Sequence, residues 1–302
     1  MKSISVLLSV FGDSPFLQDF QNSLQYQTCQ DFQLIYRFDG PNRMANEILR
    51  NVDGAWELSD NEHCGVVESY NRLIKGAPDT DFYMLADQDD VWHPDKIEKS
   101  LTAIKKAEDG YGKNMPILLH SDLRVVSSNL TTISKSFVRY QSLQPHKNEL
   151  KDLMIQNNAT GCTMIFNRSL RNITDIPEDA ICHDWYLALI ATTLGKIDFI
   201  DSPLIDYRQH SCNYYGAVPR RKLIEKIFQR KKLHHRLQLT QKQAGVFAQQ
   251  FARQLSEEQM HILNTWHHNL NEPNYWKRLS STLNAGFRKN DWLRTLGMWW
   301  AL

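Results

Sequence analysis

Apolar and polar positions fall into alternating blocks along the first half of the chain. Ile4–Phe11 is an apolar run with the pattern of a strand buried on both faces. Asp13 or Ser14 can cap a helix that has Pro15 at its first position. Phe16, Leu17, Phe20 and Leu24 then share one helical face. Phe32–Phe38 predicts a second strand, stopped by the turn signal Asp39-Gly40-Pro41. Val66, Val67, Tyr70, Leu73, Ile74 and Ala77 mark another amphipathic helix. Asp81–Ala86 is a short strand running straight into Asp87-Gln88-Asp89-Asp90. Pro94 opens the next helix, with Ile97, Leu101 and Ile104 on its inner face. Strand and helix in this alternation predict an α/β fold with a largely parallel sheet.

The middle of the chain is mixed. Pro116–Val126, Cys162–Phe166, Lys196–Ile200 and Leu204–Tyr207 read as strands, and His183–Leu194, apolar nearly all round, as a buried helix. Beyond Gly216 the texture changes. Arg220–Leu255 is basic, Gln-rich and helical, and Ser256, with Glu258 and Gln259 close behind, starts another helix. The expected boundary lies near residues 216–219, giving a region 1–217 and a basic helical region 218–302.

Charge sharpens that division. The 302 residues carry a net charge of +1. Residues 1–217 hold 20 Lys/Arg against 29 Asp/Glu, and residues 218–302 hold 15 against 5. A basic region on an acidic body suggests two sets of partners. With 42% hydrophobic residues the chain can build a substantial core, and it has no apolar run of about 18 residues that would cross a membrane. The opening stretch reads as a buried strand rather than a signal peptide, because its apolar run breaks at Gly12-Asp13. The expectation is a cytoplasmic protein. Five scattered cysteines, Cys29, Cys64, Cys162, Cys182 and Cys212, form no close pair and read as free thiols.

The acidic cluster is the first candidate site. In an open α/β sheet, ligands collect at the carboxyl ends of the strands, where the strand ending at Ala86 delivers Asp87, Asp89 and Asp90. Carboxylates this close repel one another unless a cation compensates. An oxygen-rich set suits Mg²⁺ or Mn²⁺, which share coordination with phosphates. The plainer reading is a solvated turn in which Asp90 caps the following helix, and the two stand about even.

Asp87-Gln88-Asp89-Asp90-Val91-Trp92 with Pro94-Asp95-Lys96-Ile97 resembles the donor-site signature of family 2 glycosyltransferases, in particular the bacterial rhamnosyltransferase-like branch. Further segments match in order: Ser9-Val10-Phe11, the strand ending at Asp39, Gly65-Val66-Val67 with Asn71, Gly161-Cys162-Thr163-Met164 with Asn167-Arg168, His183-Asp184-Trp185, and Tyr207-Arg208-Gln209-His210 with Asn213 and Gly216. The resemblance covers roughly residues 3–216. It implies the type A glycosyltransferase fold, a nucleotide-binding Rossmann-like mixed sheet joined to an acceptor-binding half, here with a helical extension. Two departures stand out. Many members have two aspartates after the second strand, where this chain has Phe38-Asp39, and many have an arginine where this chain has Tyr70.

The resemblance implies a role for each matching residue. Ser9, Phe11, Asp39, Gly65, Asn71, Asp87 and Arg208 would contact the nucleotide-sugar donor, and Asp87, Asp89 and His210 would hold Mn²⁺ or Mg²⁺. Asp184 would be the general base of an inverting transfer. Plainer readings accompany these: Asp184 as N-cap of its helix, Asp39 as a turn residue, His210 as a loop histidine, and Trp92 and Trp185 as core rather than sugar-packing residues. His183 reads as structural.

Implied overall is transfer of a sugar, rhamnose favoured, from a dTDP- or UDP-sugar to a hydroxyl of a growing bacterial surface polysaccharide. A UDP-hexose transferase, a nucleotidyltransferase and a non-catalytic carbohydrate- or membrane-binding protein are the rivals. A nucleotidyltransferase would need a Gly-rich basic loop after the first strand, which Phe11-Gly12-Asp13-Ser14-Pro15 does not supply. The basic region has two readings: helices that pack on the rest of the protein or on a second copy, or a peripheral contact with an anionic membrane bearing a lipid-linked acceptor, made through Trp292, Leu296 and Met298-Trp299-Trp300. No motif supports nucleic-acid binding.

Overall fold

A computed structural model describes residues 2–41, 44–58, 62–210 and 229–302. Cys212, Asn213, Gly216, Arg220-Arg221-Lys222 and the expected boundary lie outside them. The chain divides into two compact units. The first comprises the described parts of Met1–Phe137, Ala159–Ala191 and Gly195–Ala217, and the second those of Val138–Asn158, Thr192–Leu194 and Val218–Leu302. The division is therefore not one cut along the chain: residues 138–158 and 192–194, which charge and composition group with the first region, pack with the basic helices.

The first unit is built on one mixed sheet. Its strands are β1 (Ile4–Val10), β2 (Phe32–Phe38), β3 (Trp56–Glu57), β4 (Phe82–Ala86), β5 (Val91–Trp92), β6 (Ile117–Ser127), β7 (Thr132–Ser134), β8 (Met164–Asn167) and β9 (Lys196–Gln209). The order across the sheet is β3-β2-β1-β4-β8-β6-β9-β5, with β7 beside β6. β1 lies between β2 and β4, parallel to both. β8 is antiparallel to both β4 and β6, so β6 and β9 resume the direction of β4. The apolar runs read from the sequence form the buried middle: Ile4, Val6, Leu7 and Leu8 of β1 and Met84, Leu85 and Ala86 of β4 have no solvent exposure. Each such aliphatic side chain contributes roughly 1.5–3 kcal/mol when fully buried.

Among the described residues the helices are α1 (Leu17–Gln25), α2 (Met44–Leu49), α3 (Val66–Gly76), α4 (Lys96–Tyr111), α5 (Phe137–Gln141), α6 (Leu150–Leu153), α7 (Arg168–Ile173), α8 (His183–Leu194), α9 (Arg230–Gln250), α10 (Glu257–Asn269), α11 (Tyr275–Asn284) and α12 (Trp292–Ala301). α3 packs its Tyr70, Leu73 and Ile74 face against β1, as its periodicity predicts. α8 is buried all round from Tyr186 to Ala191.

Several local expectations are corrected. α1 starts at Leu17 rather than Pro15, with Ser14 Oγ accepting the Phe16 N–H. α4 starts at Lys96 rather than Pro94. Lys196–Ile200 and Leu204–Tyr207 are one strand, β9: Pro203 suggests a break, but β9 runs on along β6 through irregular register near Asp122. Cys162 belongs to a 3-10 turn, Gly161–Thr163, and the strand begins at Met164.

In the second unit, Trp266 is buried against Phe287, ring centroids 5.1 Å apart, and donates its indole N–H to Thr240 Oγ1. The expected start at Ser256 is a full capping box with Gln259. Asn274 and Asp291 cap α11 and α12.

Candidate functional site

Strand register assembles the site. β1, β2 and β4 end on the same edge of the sheet. Pairing of Leu8 with Ala86 and of Val10 with Phe38 sets Ser9 beside the start of the acidic cluster and Phe11 beside Asp39. Gln88 locks two of these ends together: its amide accepts the Phe11 N–H at 3.0 Å and donates to the Phe11 carbonyl at 2.9 Å.

The four cluster residues separate into different roles. Asp87 faces the Tyr70 hydroxyl at 3.3 Å, and that hydroxyl also donates to Ala86 O at 2.5 Å. Burial, then the charges of Asp89 and Asp184, push the Asp87 carboxyl up to about 7. Asp89 is half-buried; its Oδ2 lies 2.6 Å from His210 Nε2. The structure thus brings Asp89 and His210 together, as the resemblance implies. Asp90 is fully buried and does not cap α4: its Oδ1 accepts the Arg208 N–H at 3.2 Å, and its Oδ2 has no hydrogen-bond partner. Burial first, and then Asp89 and Asp87, raise the Asp90 carboxyl far above the ordinary range.

Cys162 joins them. One ligand-type atom each from Asp87, Asp90 and Cys162 lies within 4.8 Å of the others. Crowded, mutually repelling carboxylates with an orphaned buried oxygen are the donor set a divalent cation would satisfy. On this observation the acidic cluster fits a metal, with Asp87 common to this set and to the expected one, whose Asp89 and His210 lie 2.6 Å apart.

Asp184 stands opposite. Its Oδ2 accepts the Gly161 N–H at 2.9 Å, and its charge is among those raising the Asp87 carboxyl. The N-cap of α8 is Cys182, with no side-chain cap bond, so Asp184 does not serve as the N-cap. The Gly161–Thr163 turn passes so close that a Cβ on Gly161 would sit 3.0 Å from His183 Nε2 and 3.2 Å from Asp184 Cβ. His183 stacks on Tyr70, centroids 3.9 Å apart, which fits its structural reading.

Other expected donor contacts are turned inward. The Asp39 carboxylate receives Arg37 Nη1 (3.1 Å) and the Cys64 N–H (2.7 Å) on one oxygen, and the Gly65 N–H (3.0 Å) and His63 Nδ1 (3.1 Å) on the other. These four contacts occupy the lone-pair positions a nucleobase imide would need. Burial alone would raise this carboxyl, but the bonds from Cys64 and Arg37 hold it below the ordinary range. Gly65 has φ +83° at the N-cap of α3, where L side chains are strained. Ser9 Oγ shares a 2.6 Å bond with Ser69 Oγ, which accepts from Arg37. Asn71 accepts the Ile176 N–H and donates to Glu68. Arg208 is buried and donates to Asp89 O, Ser128 O and Asp19 Oδ2, with its guanidinium over the Phe16 ring. It braces the cluster from within. Phe11 is exposed at the rim and stacks on His63, centroids 5.1 Å apart.

Trp92 is core: it is buried edge-on to Phe20, with Lys96 Nζ 4.1 Å above its ring. Trp185 is only partly buried. Sequence reasoning missed Gln88, Tyr70 and Cys162 as parts of the site. The departure at Tyr70 was a usable signal, since a residue replacing an expected arginine beneath acidic groups must meet them by other means. Nothing in the spacing of Cys162 revealed it.

A parallel β1-β2-β4 core, reversed at β8, with carboxylates at its strand ends and a second acid on α8, defines a type A glycosyltransferase fold. Solved structures agree. S. aureus TarS 1–349 matches with a TM-score of 0.55 at 14% identity, covering 94% of this chain and 80% of that one. The mannosyltransferase PcManGT from Pyrobaculum calidifontis matches with a TM-score of 0.50 at 14% identity, covering 94% and 76%. Against the longer TarS structure the chain covers 48% of that chain. In sequence, the chain is 26% identical over 200 residues to the dTDP-rhamnosyl transferase RfbG of Shigella flexneri, a match covering 63% of this chain and 60% of that protein. The chain thus spans less than two thirds of this relative's length. No family model matches the chain. The resemblance to a rhamnosyltransferase and the expected type A fold are both borne out.

Proposed function

We propose that this protein is an inverting, metal-dependent glycosyltransferase whose catalytic region is the first unit, expected within residues 1–217. The observation that carries the reading is the turn Gly161–Thr163, which binds Asp184 through the Gly161 N–H and sets Cys162 beside Asp87 and Asp90. Asp87, Asp89 and His210 would hold Mn²⁺ or Mg²⁺, which when bound neutralises charge on the leaving nucleoside diphosphate. Asp184 takes the proton of the acceptor hydroxyl as its oxygen bonds to the anomeric carbon. The bond from that carbon to the diphosphate oxygen breaks on the opposite face. Gly161 holds one Asp184 oxygen and so orients the other.

Ser9, Phe11, Gly65 and Asn71 border the donor side. The inward bonds of Asp39 and Arg208 favour support of that side over direct contact. The similarity to a dTDP-rhamnosyl transferase favours dTDP-rhamnose. The TarS complexes with UDP-GlcNAc and with UDP favour a UDP-hexose as the second reading, and the PcManGT complex with GDP-Man and Mn²⁺ supports the metal. The acceptor is a hydroxyl of a growing surface saccharide, lipid-linked in this reading. Nucleotide sugars are cytoplasmic metabolites, which would place the site in the cytoplasm.

The test is hydrolysis of a sugar-nucleotide panel with and without Mn²⁺ or Mg²⁺, in wild type and Asp89→Ala. Metal-dependent release of a nucleoside diphosphate from one donor, lost in the variant, supports the reading and names the sugar. Folded protein with neither turnover nor metal-dependent nucleotide binding overturns it.

A further inference from the structure

Helix α12 presents an apolar stripe to solvent. Trp292, Leu296 and Trp300 recur every fourth residue on one face and are 61%, 43% and 55% exposed. They extend about 12 Å along the helix. Trp276 of α11 is 72% exposed near one end of this stripe: its ring lies 5.2 Å from that of Tyr275, whose hydroxyl donates to Trp299 O. Singly exposed apolar residues are ordinary, whereas three tryptophans and a leucine in one neighbourhood are not.

The surroundings are cationic. Residues 229–256 hold six Lys or Arg and no carboxylate, and residues 272–302 hold five against Glu272, which accepts the Asn274 N–H, and Asp291, the cap of α12. Arg230 lies over the Trp300 ring at 5.2 Å and donates to Trp300 O, and Lys231 and Lys232 follow it, exposed. Burial, with the nearby charges of Arg236 and Arg294, pushes the Lys289 ammonium down to about 8. Tryptophans belong at the level of lipid headgroups, where the ring is buried and the indole N–H stays wet. Lysines and arginines beside them match anionic headgroups, each contributing about 1 kcal/mol near such a surface.

We infer that the face formed by Trp292, Leu296, Trp300 and Trp276, rimmed by Arg230, Lys231 and Lys232, binds the surface of an anionic phospholipid bilayer. The helix lies in the interface and does not cross it: among the described residues no helix is long and apolar enough to span a membrane. This inference does not rest on the transferase reading, and its test needs no donor.

The whole chain is sedimented with vesicles of phosphatidylcholine alone, or of phosphatidylcholine with phosphatidylglycerol. Binding to the anionic vesicles is expected, weakening several-fold as salt is raised from about 0.05 to about 0.5 M. The variant Trp292→Ser/Leu296→Ser/Trp300→Ser, with an unchanged circular dichroism spectrum, should bind at least roughly tenfold more weakly. Lys231→Glu/Lys232→Glu, changed only at exposed positions, serves if the first variant does not fold, and should weaken binding similarly. No binding to anionic vesicles, or equal binding by both variants, overturns the inference. So does a dimer in sedimentation velocity that the tryptophan variant dissociates, or capture of single-stranded RNA that excludes the vesicles.

Discussion

Asp184 Oδ2 accepts the backbone N–H of Gly161 at 2.9 Å, a contact between residues 23 apart in sequence. It fixes a carboxylate whose charge reaches Asp87 in the acidic cluster. Asp184→Asn keeps an oxygen for that N–H but cannot take a proton. We expect it to fold normally and bind donor unchanged, with sugar transfer reduced by about 10²–10⁴-fold. Single-turnover transfer together with nucleotide binding by calorimetry would separate the two effects.

Gly161→Ala tests the same contact from the other side. The new methyl would press on His183 Nε2 at 3.0 Å and on Asp184 Cβ at 3.2 Å. A loss of about 1–3 kcal/mol is expected from overpacking, with transfer falling as Asp184 is displaced. Denaturant unfolding and transfer rates measured side by side check this.

Mutual repulsion among Asp87, Asp89 and Asp184 predicts that a divalent cation stabilises the fold. With Mn²⁺ at about 100 times its Kd, linkage gives roughly 2.7 kcal/mol. A rise in Tm should be clear in wild type near pH 7.5 and largely absent in Asp89→Ala. An equal rise in both would remove Asp89 from the ligand set.

Asp39 holds the loop leading into α3. A carboxyl whose folded value is lowered contributes stability that is present above its unfolded value and lost as the pH falls through the folded one. Its ordinary value is 3.8 and the shift is downward, so the contribution is whole at neutral pH and fades below 3.8. Asp39→Asn should cost about 2–4 kcal/mol at pH 7, since it also removes the carboxylate charge beside buried Arg37. The gap to wild type should narrow on acidification below 3.8, as followed by urea unfolding at each pH.

Arg208, expected at the donor, is instead bonded to Asp89 O, Ser128 O and Asp19. Arg208→Met should therefore lower stability by about 1–3 kcal/mol, because the Asp89 and Ser128 carbonyls lose a donor while half-exposed Asp19 stays solvated. If stability is unchanged and only the donor KM rises, Arg208 contacts substrate after all.

Much of this architecture is written in short-range pattern. Apolar runs ending at Val10, Phe38 and Ala86 predict strands because a strand buried on both faces tolerates little polarity along its length, and the acids after them mark the ligand edge of the sheet. The Ser256 helix start and the all-round burial of α8 follow from side-chain chemistry within a few residues. Asp89, Asp184 and His210 were nameable by resemblance because each sits in a short motif. What local pattern cannot encode is which lone pairs the fold itself consumes. Asp39 and Arg208 look like donor contacts in sequence, yet their bonding capacity is taken up by Cys64, Gly65 and His63 in one case and by Asp19, Ser128 and Asp89 in the other, partners 24 to 189 residues away. The place of Cys162 between Asp87 and Asp90, the union of two predicted strands into β9, and the joining of residues 138–158 to the basic helices depend likewise on chain segments that meet only once folded. Sequence by itself thus determined the class of fold and the edge where chemistry sits, since these rest on local periodicity and charge, and short motifs named the candidate acids by resemblance. Tertiary structure alone decided which of those side chains face the site and which brace it, because that is a matter of long-range packing and of which polar groups are already bonded.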